Sequence, residues 1–183
     1  MVDGKTMLEL ILSRQSDRSY TDKPVENEKI ERIIEAGRMA PSACNAQPWK
    51  FIVVTDPELR ARLSEAASAR LLGMNSFVIQ APVQVIVVRE KANMSSKIGA
   101  TVKNKDYSLI DIGIASENIC LQARAEGIGS CMIGWFDEKQ VKKILGIPSS
   151  KRVELIITLG YRAKELRVKK RKPISETVSY NKY

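Results

Sequence analysis

Hydrophobic and polar positions change period several times along this chain, and each change predicts an element. Ile30, Ile33, Ile34 and Gly37 recur at helical spacing within 27–39, so that segment reads as a helix with one buried stripe. Residues 6–13 suggest a shorter helix, apolar on more than one side. Between the two, small polar residues, two arginines and Pro24 break the pattern, because the residue before a proline avoids helical backbone. Two runs rich in β-branched residues, 49–55 and 83–88, read as strands. Pro57 follows Asp56 and fits the first turn of a helix predicted over 57–72.

Residues 89–106 are polar, basic and turn-rich and read as a surface segment. The longest helical pattern, 107–126, is apolar on most sides, which requires deep burial or packing against another chain. Gly127 and Gly129 stop it. A short strand or turn over 130–135, a helix capped by Asp137 and running to Leu145, and a last strand over 153–160 complete the pattern. The tail KKRKPISETVSYNKY carries no periodicity of its own. Helices and strands mix without a steady strand–helix–strand rhythm, so the expectation is an α+β fold in a single domain over residues 1–183.

Composition narrows the chemistry. The chain contains no histidine, which removes histidine-dependent triads, zinc sites with histidine ligands and imidazole bases. Cys44, Cys120 and Cys131 lack metal-ligand spacing and do not suggest a disulfide framework. The longest apolar runs are too short to span a bilayer, and no apolar signal core opens the chain. The expected placement is cytoplasmic, with no membrane partner. Net charge is +9, from 30 basic and 21 acidic residues. The excess gathers in 97–105 and 162–172 without the interleaved aromatics of a single-strand-binding surface, so no nucleic-acid partner is expected. Lys97, Lys103 and Lys105 either attract the phosphate of a cofactor or are simply solvated.

Two segments carry candidate chemistry. Arg14, Ser16 and Arg18 alternate, and an extended backbone places alternating side chains on one face. Two guanidiniums flanking a hydroxyl suit a phosphate dianion; the competing reading is a helix C-terminus that favours cations. The stretch APSACNAQPW, residues 40–49, sets Ser42, Asn45 and Gln47 between apolar anchors. It reads either as a proline-bounded turn or as a site. Cys44 has no imidazole to activate it and reads as a buried thiol.

Taken together, Arg14-x-Ser16-x-Arg18-x-Tyr20, APSACNAQPW, DIGIASENICLQARAEGIGSCMIGWF and RKPISETVSYNKY resemble the nitroreductase family of FMN-dependent NAD(P)H oxidoreductases. The resemblance runs from about residue 8 to residue 183. It implies a mixed central sheet flanked by helices, in an entwined homodimer whose C-terminal tail is exchanged onto the partner. The 109–125 helix would then lie at the dimer interface.

The same resemblance implies site roles. Arg14 matches the phosphate-binding arginine, with Gln15 and Ser16 beside it, and Arg18 the basic residue near the pyrimidine end of the flavin. Pro41, Ser42 and Ala43 match a segment that approaches the flavin from the other subunit, and Asn45 a hydrogen-bonding residue of the same loop. Ile133 and Gly134 match the backbone at the flavin rim near N5 and O4. Arg171 matches the second phosphate clamp, with Lys172 as its neighbour. Asn75 lies near a further family contact that the sequence does not fix. The implied reaction is ping-pong hydride transfer from NADH or NADPH through flavin N5 to a small-molecule electron acceptor such as a nitroaromatic or quinone. The alternatives are a flavin reductase or other flavin redox reaction on the same fold, and a non-catalytic FMN-binding protein.

Overall fold

Val83, Val85 and Val87 belong to one hydrophobic layer and Ile86 and Val88 to another, because successive residues of the central strand β2 (Val83–Arg89) point to opposite faces. Every position of β2 but the last is buried. The computed structural model describes residues 3–68, 74–91 and 105–183. Among these residues four strands pair in the order β1-β2-β4-β3, all antiparallel. The others are β1 (Trp49–Val54), β3 (Gly129–Ile133) and β4 (Arg152–Gly160). A single parallel bridge, Ser16 to Ser130, is the one mixed feature of the sheet among the described residues.

Helices cover both faces. Ile30 and Ile33 of α2 (Asn27–Arg38) and Ile112, Ala115 and Ile119 of α4 (Tyr107–Ala125) share the layer of Val83, Val85, Val87, Ile157 and Leu159. Leu63 and Ala67 of α3 (Pro57–Ala67) and Val141 of α5 (Glu138–Leu145) share the layer of Ile86, Val88 and Ile156. Each such isoleucine, leucine or valine side chain contributes about 1.5–3 kcal/mol by leaving water. α2 and α4 approach so closely that a Cβ at Gly37 would sit 2.6 Å from Ile119 Cγ1.

Asp3, Asp56, Asp106 and Asp137 each accept a backbone N–H at the start of α1 (Gly4–Ser13), α3, α4 and α5, satisfying donors that the first turn leaves open. The Asp3 cap starts α1 two residues before the periodicity suggests. The helix expected over 57–72 is shorter: Ser68 turns to extended backbone (ψ 117°) and its hydroxyl donates to the Ser64 carbonyl at 2.8 Å, ending α3 at Ala67. Residues 69–72 lie outside the described residues, as do Lys97 and Lys103; Lys105 Nζ stands 5.5 Å from the Tyr107 ring centroid. β3 stops at Ile133, so Gly134 and Trp135 follow the strand rather than belong to it.

Two surfaces stay uncovered in the single chain. Leu109, Ile110 and Ile114 of α4 and Leu8, Ile11 and Leu12 of α1 are exposed. The tail beyond β4 is exposed almost throughout, with one short helix, α6 (Ile174–Thr177). Among the described residues no helix is long and apolar enough to cross a membrane.

Candidate functional site

α1 ends where Arg14 turns to extended backbone (ψ 131°) while its N–H still reaches the Leu10 carbonyl. The chain then runs beside β3, with the Asp17 N–H donating to the Ser130 carbonyl at 2.8 Å. Asp17 and Tyr20 turn inward and are buried. The Tyr20 hydroxyl donates to the Asp17 carbonyl and is hydrogen-bonded to Thr158 Oγ1, both at 2.7 Å, and burial pushes its pKa well above the usual value. This anchor sets the alternation that brings Arg14, Ser16 and Arg18 to one cleft.

The opposite wall comes from more than 150 positions away in the sequence. The Arg167 N–H donates to Gln15 Oε1 at 3.0 Å and Arg167 Nη2 to the Ser16 carbonyl at 2.8 Å. Lys169 Nζ donates to the Ile11 carbonyl at 2.8 Å, a cation at a helix C-terminus. The two segments enclose a cleft of about 290 Å³, lined by Arg14, Gln15, Ser16 and Arg18 on one side and Arg167, Val168, Lys169, Lys170 and Arg171 on the other.

The electrostatics of this cleft are one-sided. Arg14 Nε lies 3.1 Å from Glu117 Oε1, yet the geometry is not that of a hydrogen bond and this buried N–H has no hydrogen-bond partner among the described residues. Partial burial, then the nearby Arg14 and Arg171 charges, push the Lys169 ammonium below its ordinary pKa. Clustered cations with an unsatisfied guanidinium N–H and a serine hydroxyl make a donor set suited to a phosphate dianion.

Further along β3 the surface changes character. Gly134 lies four residues past Ser130, roughly 13 Å along an extended strand. A Cβ there would meet nothing within 4 Å, so the backbone borders open space. Asn75, left-handed at φ 61°, donates from Nδ2 to the Ala67 carbonyl at 3.2 Å and the Trp135 carbonyl at 3.0 Å. It therefore belongs to the wall beside Gly134, a placement the sequence leaves open. Trp135 itself is 63% exposed.

The loop that carries Pro41, Ser42, Ala43 and Asn45 lies elsewhere. Ser42 Oγ accepts the Gln47 N–H at 3.0 Å, and Gln47 Nε2 donates to the backbone and side-chain oxygens of Asn45 at 3.2 Å each. Cys44, expected as a buried thiol, is exposed, because it sits on a left-handed turn of this surface loop: Cys44, Asn45 and Gln47 have φ of 52°, 50° and 46°, a conformation costing about 1–2 kcal/mol per ordinary residue. The buried carboxylate of Asp111 on α4 accepts the Ala43 N–H at 3.1 Å and fixes the loop against that helix. Neither this loop, nor Ile133 and Gly134, nor Lys172 lines the cationic cleft. Asp17, Arg167, Lys169, Asp111 and Glu117 are absent from the sequence reading. The charge run RVKKRK was the available signal for two of them, but solvated lysine runs look the same.

Comparison with known proteins gives the family and the fold. Residues 11–161 match the family model described as Nitroreductase family. A protein of Archaeoglobus fulgidus, provisionally named NADH dehydrogenase/NAD(P)H nitroreductase, is 36% identical over 158 residues, covering 84% of this chain and 84% of its own. The solved structure of an FMN-dependent nitroreductase from Clostridium difficile superposes with a TM-score of 0.75 at 31% identity, covering 96% of this chain and 99% of that one. The NADPH:FMN oxidoreductase of Vibrio harveyi, solved with NAD+, gives a TM-score of 0.80 at 28% identity, covering 97% and 77% respectively. A family match running from the end of α1 to the residue after β4, joined by these relatives, makes this chain a member of the nitroreductase family.

Proposed function

We propose that this chain is an FMN-dependent oxidoreductase that draws on NADH or NADPH and reduces nitroaromatics, quinones or related electrophiles. The observation that carries the reading is the convergence of Arg14, Gln15, Ser16 and Arg18 with Arg171 on one cationic cleft. Family membership supplies the identity of the phosphate: the terminal group of FMN.

In this reading Arg14, Ser16 and Arg171 hold the phosphate, Gln15 supports them, and Lys172 adds charge nearby. Arg18 lies toward the pyrimidine end, where a cation stabilises negative charge electrostatically. Ile133 and Gly134 present backbone at the ring's rim, and the absence of a side chain at Gly134 lets a flat ring lie close. Held there, FMN would supply ping-pong hydride chemistry through N5 between the nicotinamide and the acceptor. The protein binds, orients and tunes, which suits a chain without histidine.

The cleft of about 290 Å³ falls just below the usual range for ligand pockets, about 300–1,000 Å³, as half of a shared site would. The second half is a second copy. Leu109, Ile110 and Ile114 on α4 are exposed, and contiguous exposed apolar surface marks an interface. Among the described residues β1 pairs on one side only, leaving a sheet edge for the partner's tail. Pro41, Ser42, Ala43 and Asn45 then face the flavin of the other subunit, which accounts for their distance from the cleft within one chain.

A flavin reductase is the second reading, favoured by the likeness to the Vibrio harveyi NADPH:FMN oxidoreductase. Anaerobic addition of NADH or NADPH to the purified protein, followed by separate acceptors, tests both readings. Bleaching of a bound yellow chromophore and its recovery with a nitroaromatic or quinone supports the first. Recovery only with added free flavin supports the second. A chromophore that neither nicotinamide bleaches identifies a non-catalytic FMN-binding protein.

A further inference from the structure

The reading above gives Asp17 no role and Gln15 an unspecified one, yet these two side chains connect the walls of the cleft. Asp17 is 8% exposed. Its Oδ1 accepts from Gln15 Nε2 at 2.7 Å, and Gln15 Oε1 accepts the Arg167 N–H at 3.0 Å. A side-chain amide presents a donor at one end and an acceptor at the other. An ionised carboxylate only accepts, so Asp17 selects the NH2 end of Gln15 and turns its oxygen toward the arm. The reversed amide would set donor against donor at Arg167.

The arm needs such a latch. It brings Arg167, Lys169, Lys170 and Arg171 beside Arg14 and Arg18, and like charges at close range oppose that approach. Hydrogen bonds from Arg167 and Lys169 also cross this seam, but they run to the main-chain carbonyls of Ser16 and Ile11, which any sequence supplies. Gly129 makes room for the latch: a Cβ there would lie 2.7 Å from Asp17 Oδ2.

We infer that Asp17 is a positioning residue for the phosphate end of the site. By orienting Gln15 it docks the 167–171 arm against residues 14–18 and so sets the affinity for a ligand's phosphate. The identity of that ligand rests on the FMN reading; the docking itself does not.

The test uses the full chain as wild type, Asp17→Ala, Asp17→Asn and Gln15→Leu. Flavin-fluorescence titrations compare FMN with riboflavin, which lacks the phosphate, and limited trypsin cleavage between residues 167 and 172 is timed without ligand. Asp17→Ala and Gln15→Leu are expected to speed arm cleavage and raise the FMN Kd about tenfold, the scale of one hydrogen bond to a charged group. Riboflavin affinity stays unchanged, and Asp17→Asn, which retains an acceptor oxygen, recovers part of the loss. Should the Asp17 variants fail to fold, Gln15→Leu at the cleft wall carries the comparison. Cleavage at the wild-type rate overturns the inference, and so does an equal loss of FMN and riboflavin. If wild type binds neither flavin, the FMN reading fails while the cleavage rates still decide the docking.

Discussion

Arg14 Nε on the segment leaving α1 lies 3.1 Å from Glu117 Oε1 on α4, with the two side chains 23% and 39% exposed. An ion pair this open to solvent contributes about 0–1 kcal/mol to folding, whereas a hydrogen bond to a charged ligand contributes about 1.5–3 kcal/mol. Arg14→Ala and Arg171→Ala should therefore each weaken FMN binding by about tenfold or more while shifting the melting temperature little. Flavin-fluorescence titration and thermal melts check this. Wild-type affinity in both variants would remove the phosphate assignment.

Gly37 and Ile119 set the spacing of α2 and α4. A methyl at residue 37 would meet Ile119 Cγ1 and Cδ1 at 2.6 and 2.8 Å, and Ile119 is fully buried. Gly37→Ala is expected to cost about 1–3 kcal/mol through overpacking. Adding Ile119→Ala removes both opposing carbons, so the double variant should be less destabilised than the sum of the singles. Additive losses in denaturant titrations would mean that the helices shift freely at this contact.

Acid stability should depend on Glu126, whose carboxylate accepts from Arg32 Nε and Nη2 at 2.7 and 2.9 Å. Arg32 and, secondarily, Gln122 hold its carboxyl down to about 2, against an ordinary value of 4.5. A folded-state pKa below the unfolded one gives stability that is fully present above about pH 4.5 and lost as pH falls toward 2. Glu126→Gln should flatten that part of the stability–pH curve and leave its slope near neutrality unchanged. An identical acid limb in variant and wild type would contradict the assignment.

The exposed stripe on α4 predicts an assembly. Ile110, 44% exposed, becomes a desolvated interface residue if two copies pack through α4. Ile110→Lys should then shift the protein from dimer to monomer in light scattering at micromolar concentration, and reduce FMN retention with it, because the 41–45 loop of the partner is lost. A wild-type monomer that retains flavin would contradict the shared site.

How much of this was legible beforehand follows from the range of the interactions. The elements that alternate or repeat at helical spacing, β2 and α2 above all, were read with boundaries close to those observed. Arg14, Ser16 and Arg18 were read onto one face because a three-residue alternation is local. The end of α3 was misread because serines tolerate a helix interior and a helix end equally, and the choice is made by where Ser68 turns. Arg167 and Asp17 were invisible for another reason. Their roles are defined by Gln15, which one of them meets across a large sequence gap, and one sequence carries no record of that pairing.

The most direct measurement is an anaerobic spectrophotometric titration of the purified protein with NADH and, separately, NADPH, followed by a nitroaromatic or a quinone. A stoichiometric flavin spectrum that bleaches with at least one nicotinamide and returns on adding the acceptor is the predicted result. A colourless protein that also fails to take up added FMN would contradict the account at its centre.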